Sequence, residues 1–267
     1  MILVLGATGK VGRHVVSGLL GKDVAVRAIV RDPGTAALPT GAEVVGGDLT
    51  QPRGLPIQDA DAAFLVWPFF GAEGADPVVD LLAAHARRLV YLSAEAAGAR
   101  PGSFWARVEH AIERSATEWT MLRPTGFAAN TLMWAGQIRD SGVVRWPYGR
   151  AARSLIHERD IADVAVRALT EDGHAGVRHV LTGPEALTQI EQVHEIGAAI
   201  GRRIRWEELS RRQAEQELAG RVPETALDTW AGFAETPEGV TSTVHEILGV
   251  PARPFAEWAR EHAGDFR

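Results

Sequence analysis

Six short apolar runs punctuate the first half of the chain: ILVLG (2–6), VAVRAIV (24–30), AEVVGGD (42–48), AAFLVWP (62–68), RLVYLS (88–93) and WTMLRP (119–124). Their length and β-branched content predict buried parallel strands, although periodicity alone does not separate these from buried helix. Between the runs, apolar positions recur at helical spacing. Val11, Val15 and Leu19 share one face, and Phe104, Val108 and Ile112 share another behind Ser103 as cap. Asp76-Pro77 reads as an N-cap with proline at the first helical position, and Asp160 opens DIADVAVRAL. Strand–helix alternation predicts right-handed crossovers and an α/β, doubly wound parallel sheet of about seven strands. The last of these is RHVLTG (178–183). From about residue 184 the pattern turns helical, in LTQIEQVHEIGAAIG, SRRQAEQELAG, PETALDTWAGFAE and PFAEWAREHAGDF. The expected organisation is one domain over 1–130 and 155–183, and a smaller, mostly helical lobe over 131–154 and 184–267.

The first run leads into GATGKVGRHVV, with Gly6, Gly9 and Gly12 at G-x-x-G-x-x-G spacing ahead of an amphipathic helix. Missing side chains let a phosphate approach the backbone, and a helix start offers amides and a positive dipole end. This context predicts a Rossmann-type dinucleotide site built from Gly6, Thr8, Gly9, Lys10, Val11 and Gly12. The end of the second strand selects the cofactor. IVRDP places Arg31 there, and its fork of donors suits the extra phosphate of NADP(H). Asp32, just before proline, reads as a turn residue, and NAD(H) stays possible. Asp48 and Leu49 fall where the adenine would lie, and Val66, Trp67 and Pro68 fall nearer the nicotinamide ribose; core packing is the other reading of Trp67.

Composition narrows the field. The 267 residues carry a net charge of −6, so no basic surplus points to nucleic acid or a membrane surface. No apolar run approaches the roughly 20 residues that span a bilayer. The start, MILVLG, lacks the flank of a signal peptide, so a cytoplasmic protein is expected. With no cysteine, and histidines that are scattered with no H-E-x-x-H, no metal site is expected. No G-x-S-x-G elbow occurs, which argues against a hydrolase.

GATGKVGRHVV, IVRDP, GGDLT, YLSAEAAG, WTMLRPTGFAANTL, HERDIADVAVRAL, LTGPEALT and FAEWARE occur in this order and span nearly the whole chain. Together they resemble the NmrA-like branch of the atypical short-chain dehydrogenase/reductase superfamily. That branch includes NADPH-dependent quinone oxidoreductases, triphenylmethane reductases, isoflavone reductase-like enzymes and nucleotide-binding redox regulators. The resemblance implies strand order 3-2-1-4-5-6-7, a C-terminal substrate lobe, and a nicotinamide near Ser93 and RPTGF, which brings Thr125 and Phe127 to the cofactor. Arg123 before Pro124 reads as an anchor, and His157, Glu158 and Asp160 as the helix-entry segment, with Asp160 as a cap.

The larger superfamily protonates its product with a tyrosine tuned by a lysine. At that Tyr-x-x-x-Lys spacing this chain has Trp105 and Glu109, and its lysines are Lys10 and Lys22 alone. Indole N–H is no useful acid, and a carboxylate does not replace an ammonium. The two tyrosines lie elsewhere, Tyr91 in a strand and Tyr148 in the lobe. Candidate catalytic groups are therefore Ser93, Glu109 and His110, with structural roles as the alternative for each. Phe69, Phe70, Asn130, Trp134, Trp146 and Tyr148 could line a pocket for a flat substrate, or else form ordinary core. Three readings stay open. One is NADPH-dependent hydride transfer to a conjugated, electron-poor small molecule such as a quinone, enone or aromatic secondary metabolite. Another is a redox sensor acting through a protein partner, and the third an isomerase or cyclase. A monomer or homodimer is expected.

Overall fold

The apolar runs pair side by side. In the computed structural model, which describes residues 1–115, 117–222 and 224–267, they form one parallel sheet. Its strands are β1 (Ile2–Leu5), β2 (Val26–Val30), β3 (Glu43–Gly46), β4 (Ala62–Val66), β5 (Arg88–Leu92) and β6 (Glu118–Pro124). After two strands elsewhere, β7 (Val143–Trp146) and β8 (Ala152–Arg153), the chain returns with β9 (Val177–Leu181). The sheet order is β3-β2-β1-β4-β5-β6-β9, seven strands, all parallel. The implied order holds, and the Rossmann-type architecture with it. The order reverses between β1 and β4, the position where such sheets open a crevice at their C-terminal ends.

The chain divides into two compact units, Met1–Thr125 with Glu158–Leu181 and Thr243–Val250, and Gly126–His157 with Thr182–Ser242 and Pro251–Arg267. The first unit carries helices α1 (Gly12–Leu20), α2 (Ala75–His85), α3 (Ala96–Ala99) and α4 (Phe104–Arg114). In chain order, α5 (Ala135–Ser141) belongs to the second unit and α6 (Glu158–Thr170) to the first. Alternate strand residues Leu3, Leu5, Leu65, Leu89 and Tyr91 face one core with Val78, Leu82, Val108 and Ile112 of α2 and α4. Burying each such aliphatic side chain contributes about 1.5–3 kcal/mol before entropy is counted. Ser103 caps α4 as expected, accepting from the Ala106 amide at 3.3 Å. The expectation at Asp76 fails. α2 starts two residues earlier, behind Gly74 at φ +82°, which leaves Asp76 in the first turn, paired with Arg114 at 2.6 Å. Asp160, too, lies inside the first turn of α6, buried beside Glu158.

At the far edge of this unit, His174 Nδ1 and His179 Nε2 share a hydrogen bond of 3.2 Å, which needs one neutral ring. Burial, then the charge of Arg88, lowers the His174 pKa; burial, then His174, lowers that of His179. The unfolded chain thus holds protons more tightly. The pair's contribution is complete above the ordinary histidine value of about 6.5 and is lost as pH falls through the lowered folded values. The melting temperature is expected to fall between about pH 7.5 and pH 5, and to fall less in His179→Gln. Equal falls in both proteins would rule the pair out.

The second unit holds α5, α7 (Gln189–Ile200), α8 (Arg211–Glu217) and α9 (Glu224–Glu235). α10 (Thr243–Leu248) packs on α6 and β9 of the first unit, and α11 (Phe255–Glu261) returns to the second. Capping boxes start α7 at Thr188 and α8 at Ser210. Pro223, where a helix was expected to begin, lies outside the described residues. The helical pattern conceals two small sheets, β7 with β11 (Arg205–Glu208) in parallel and β8 with β10 (Leu187–Thr188) antiparallel. Trp134, Trp146, Trp230, Trp258 and Phe266 fill this unit's core. No described helix is long and apolar enough to cross a membrane.

Candidate active site

Glycines shape the turn after β1. Gly6 holds φ +86°, in the left-handed region, and a Cβ there would lie 2.8 Å from Val66 Cβ. A Cβ on Gly12 would lie 2.2 Å from the Gly6 carbonyl oxygen. The Gly9 amide donates to that same oxygen at 3.0 Å and closes the turn. α1 follows at once, with no side-chain cap. The result is a bare main-chain cradle at the positive end of a helix, which suits a diphosphate. Thr8 and Lys10 are exposed on this turn, while Val11 packs inward. Sequence reading passed over Arg13. Its guanidinium folds back to donate to the Thr8 and Gly9 carbonyls at 3.1 and 3.3 Å, placing a fixed positive charge against the cradle. The signal was a cation one residue past the third glycine.

At the end of β2, the Asp32 carboxylate accepts from the Gly34 amide at 3.0 Å and the Thr35 hydroxyl at 3.1 Å. It caps the short turn Pro33–Thr35, and the exposed Arg31 stands beside it. Hydrogen bonds from Thr50 hold the Asp48 carboxyl below the usual carboxylate range, and the charge of Arg31 adds to them. Past β3 and β4 lies a hollow of about 440 Å³ lined by Leu49, Thr50, Trp67, Phe69, Gly71 and Pro77. Trp67 serves as both wall and brace. Its indole N–H donates to the Gly71 carbonyl at 2.7 Å, and Phe69 packs edge-on at 5.1 Å. Val66 is half-buried and Pro68 exposed at the end of β4. Phe70, 96% exposed, stands edge-on to Phe104, whose ring lies 4.1 Å from that of Trp105.

Ser93 follows β5 and is buried. Its hydroxyl donates to Glu109 Oε1 at 2.5 Å. Glu109, 2% exposed, is gripped by Arg123, Nε to Oε1 at 2.9 Å and Nη2 to Oε2 at 2.5 Å. That hydrogen bond, ahead of the charges of Glu109, Glu113 and Glu95, holds the Arg123 pKa above its usual value. Arg178 Nε lies 3.8 Å from Glu109 and adds a second positive neighbour. The structure thus joins buried Ser93 and Glu109 to the half-buried Arg123 in one cluster. His110 is not in it. Its side chain is 70% exposed, on the outer face of α4, with Nδ1 3.5 Å from Glu113.

Tyr91 does not restore an acid. Tyr91 is wholly buried in the first unit, and burial, then the charge of Glu109, pushes its pKa far above the tyrosine range. Tyr148 lies in the second unit at φ +57°. Thr125 binds the end of β9 through its amide, which donates to the Leu181 carbonyl at 3.0 Å. Within the second unit Phe127 bridges Ile156, and a hollow of about 80 Å³ has Asn130, Trp134, Arg153 and Trp230 on its walls. Trp146 sits in the core, tilted against Trp230 at 5.5 Å.

The NAD(P)H-binding family matches residues 6–172, from the first glycine of the cradle to just past α6. This chain belongs to the NAD(P)H-binding family. A (4-alkanoyl-5-oxo-2,5-dihydrofuran-3-yl)methyl phosphate reductase of Streptomyces griseus is 40% identical to it, over 100% of this chain and 99% of that protein. The NAD(P)H azoreductase of Xenophilus azovorans is 34% identical, over 100% and 99%. The NADPH-dependent quinone oxidoreductase of Escherichia coli shares the fold, with a TM-score of 0.82 and 24% identity over 98% of this chain and 99% of that one. The NmrA-like resemblance read from the motifs holds, and this NAD(P)H-binding chain is an NAD(P)H-dependent oxidoreductase.

Proposed function

We propose that this oxidoreductase uses NADPH to reduce an electron-poor double bond conjugated to carbonyl groups, as in a quinone, an enone or an acylated unsaturated lactone. One observation carries the reading. Where an ordinary carbonyl reductase places a lysine-tuned tyrosine, this chain has Trp105 and a carboxylate, Glu109, committed to Arg123 and Ser93. A general acid contributes about 10²–10⁴ in rate, and an isolated ketone needs it. A conjugated acceptor spreads the incoming charge and takes its proton from water.

The name of one relative supports this acceptor, and the other names a different electron-poor double bond. The Streptomyces griseus substrate is a dihydrofuran bearing alkanoyl and oxo groups, and the Xenophilus azovorans enzyme reduces an azo group. The cofactor supplies hydride. The chain's own part is positioning and exclusion of water. In this reading Gly6, Thr8, Gly9, Lys10, Val11, Gly12 and Arg13 hold the diphosphate, Asp48 and Leu49 border the adenine side, and Trp67 stands nearer the nicotinamide ribose. Val66, Pro68, Ser93, Thr125 and Phe127 border the nicotinamide half. Phe69 and the exposed Phe70 offer rings to a flat acceptor on the first unit.

The test is a panel of quinones, acylated unsaturated lactones, azo dyes and unconjugated ketones, read as acceptor-dependent NADPH oxidation. Conjugated acceptors are expected to exceed unconjugated ketones by at least about 100-fold in kcat/KM. Equal rates on simple ketones, or no turnover of any conjugated acceptor, would overturn the proposal.

Arg31 gives NADPH its advantage in this reading, because Asp32 is engaged by its own turn. A charge-assisted bond to phosphate is worth about 1.5–3 kcal/mol, so Arg31→Ala is expected to weaken NADPH binding by roughly 10- to 100-fold. The gap between NADPH and NADH should narrow by that factor in paired titrations. An unaltered gap would place the 2′-phosphate elsewhere.

A further inference from the structure

We infer that Ser93 works as a hydrogen-bond acceptor for the nicotinamide half of the cofactor, and not as the donor that polarises an acceptor's carbonyl. A hydroxyl has one proton and two lone pairs. The proton of Ser93 goes to Glu109 Oε1. Glu109 has none to give in return, because both of its oxygens receive N–H groups of Arg123. Ser93 and Glu109 are both buried, so water competes little for that bond. What remains on Ser93 is lone-pair density, and it binds donors only. At the ends of β4 and β5 the donors of the nicotinamide half are the ribose hydroxyls and the carboxamide NH₂. Glu109 and Arg123 are then positioning residues, since they fix the direction of the serine proton and touch no ligand themselves.

This inference rests on the placement of the nicotinamide half proposed above, but it is read by binding and needs no acceptor substrate. Its failure is thus separable from a failed acceptor panel. Ser93→Ala and Ser93→Thr are titrated with NADPH, and with 2′,5′-ADP, which lacks the whole nicotinamide mononucleotide half. Ser93→Ala is expected to raise the Kd for NADPH roughly three- to tenfold, the range of one hydrogen bond, with no change for 2′,5′-ADP. Ser93→Thr, which keeps the hydroxyl, is expected to restore NADPH binding. An unchanged NADPH Kd in Ser93→Ala overturns the inference, and so does an equal loss for both ligands. A further arm uses the 3-acetylpyridine analogue of NADP, which has no carboxamide NH₂. If Ser93→Ala still weakens this analogue, the donor is a ribose hydroxyl. If the effect vanishes, the donor is the carboxamide.

Discussion

Gly12→Ala is expected to cost at least about 100-fold in NADPH affinity while the sheet behind it stays folded. The added Cβ would sit 2.2 Å from the Gly6 oxygen, 2.9 Å from the Gly6 carbonyl carbon and 3.0 Å from Ala7 Cα. All three are backbone atoms, so no rotamer change relieves the clash. The turn must move away from α1, and a displacement near 1 Å is enough for a 10²-fold loss where geometry is demanding. Overpacking of this kind also destabilises by about 1–3 kcal/mol. Gly9→Ala is the internal comparison. Its Cβ meets only the Gly6 oxygen, at 3.1 Å, so a shift of a few tenths of an ångström accommodates it. Titration calorimetry of both variants with NADPH decides the matter. Wild-type affinity in Gly12→Ala would remove the cradle from the cofactor site.

Glu109→Ala is expected to destabilise the first unit by about 3–5 kcal/mol. It leaves the Arg123 guanidinium, 18% exposed, without its carboxylate and the Ser93 hydroxyl without its acceptor. For a chain of this size that corresponds to a fall of roughly 10 °C in melting temperature. The double variant Glu109→Leu with Arg123→Met removes both charges together and keeps apolar volume. It should recover more than half of the loss, because the penalty comes from the stranded charge. Denaturant melts of wild type, Glu109→Ala, the component variants Glu109→Leu and Arg123→Met, and the double variant give the coupling. A double variant no better than Glu109→Ala would mean that packing, not charge, dominates there.

The strands were legible because β-branched runs of five to seven residues, separated by helical stripes, have few other uses. The cradle was legible because the glycine spacing has a steric cause. The partner of Glu109 was not. Arg123 lies 14 residues away on a strand, and no local period links a helix face to a strand end. The small sheets of the second unit were hidden for a related reason. Strands of two to four residues, such as β8 and β10, are too short to show alternation among helical segments. At α2, the Asp-Pro pair is a strong local signal, but Gly74 at φ +82° turns the chain two residues sooner. Aromatic spacing likewise did not separate Trp146, a core residue, from the exposed Phe70. Burial is a property of the folded chain.

The engagement of Asp32 has a consequence for retooling the coenzyme choice. Many designs toward NADH would remove the guanidinium and trust the neighbouring carboxylate to greet the adenosine diol. Here that carboxylate is already clasped by Gly34 and Thr35. Stripping Arg31 would leave an enzyme indifferent to both coenzymes. Conversion requires loosening the threonine as well, so that the aspartate can swing toward the sugar.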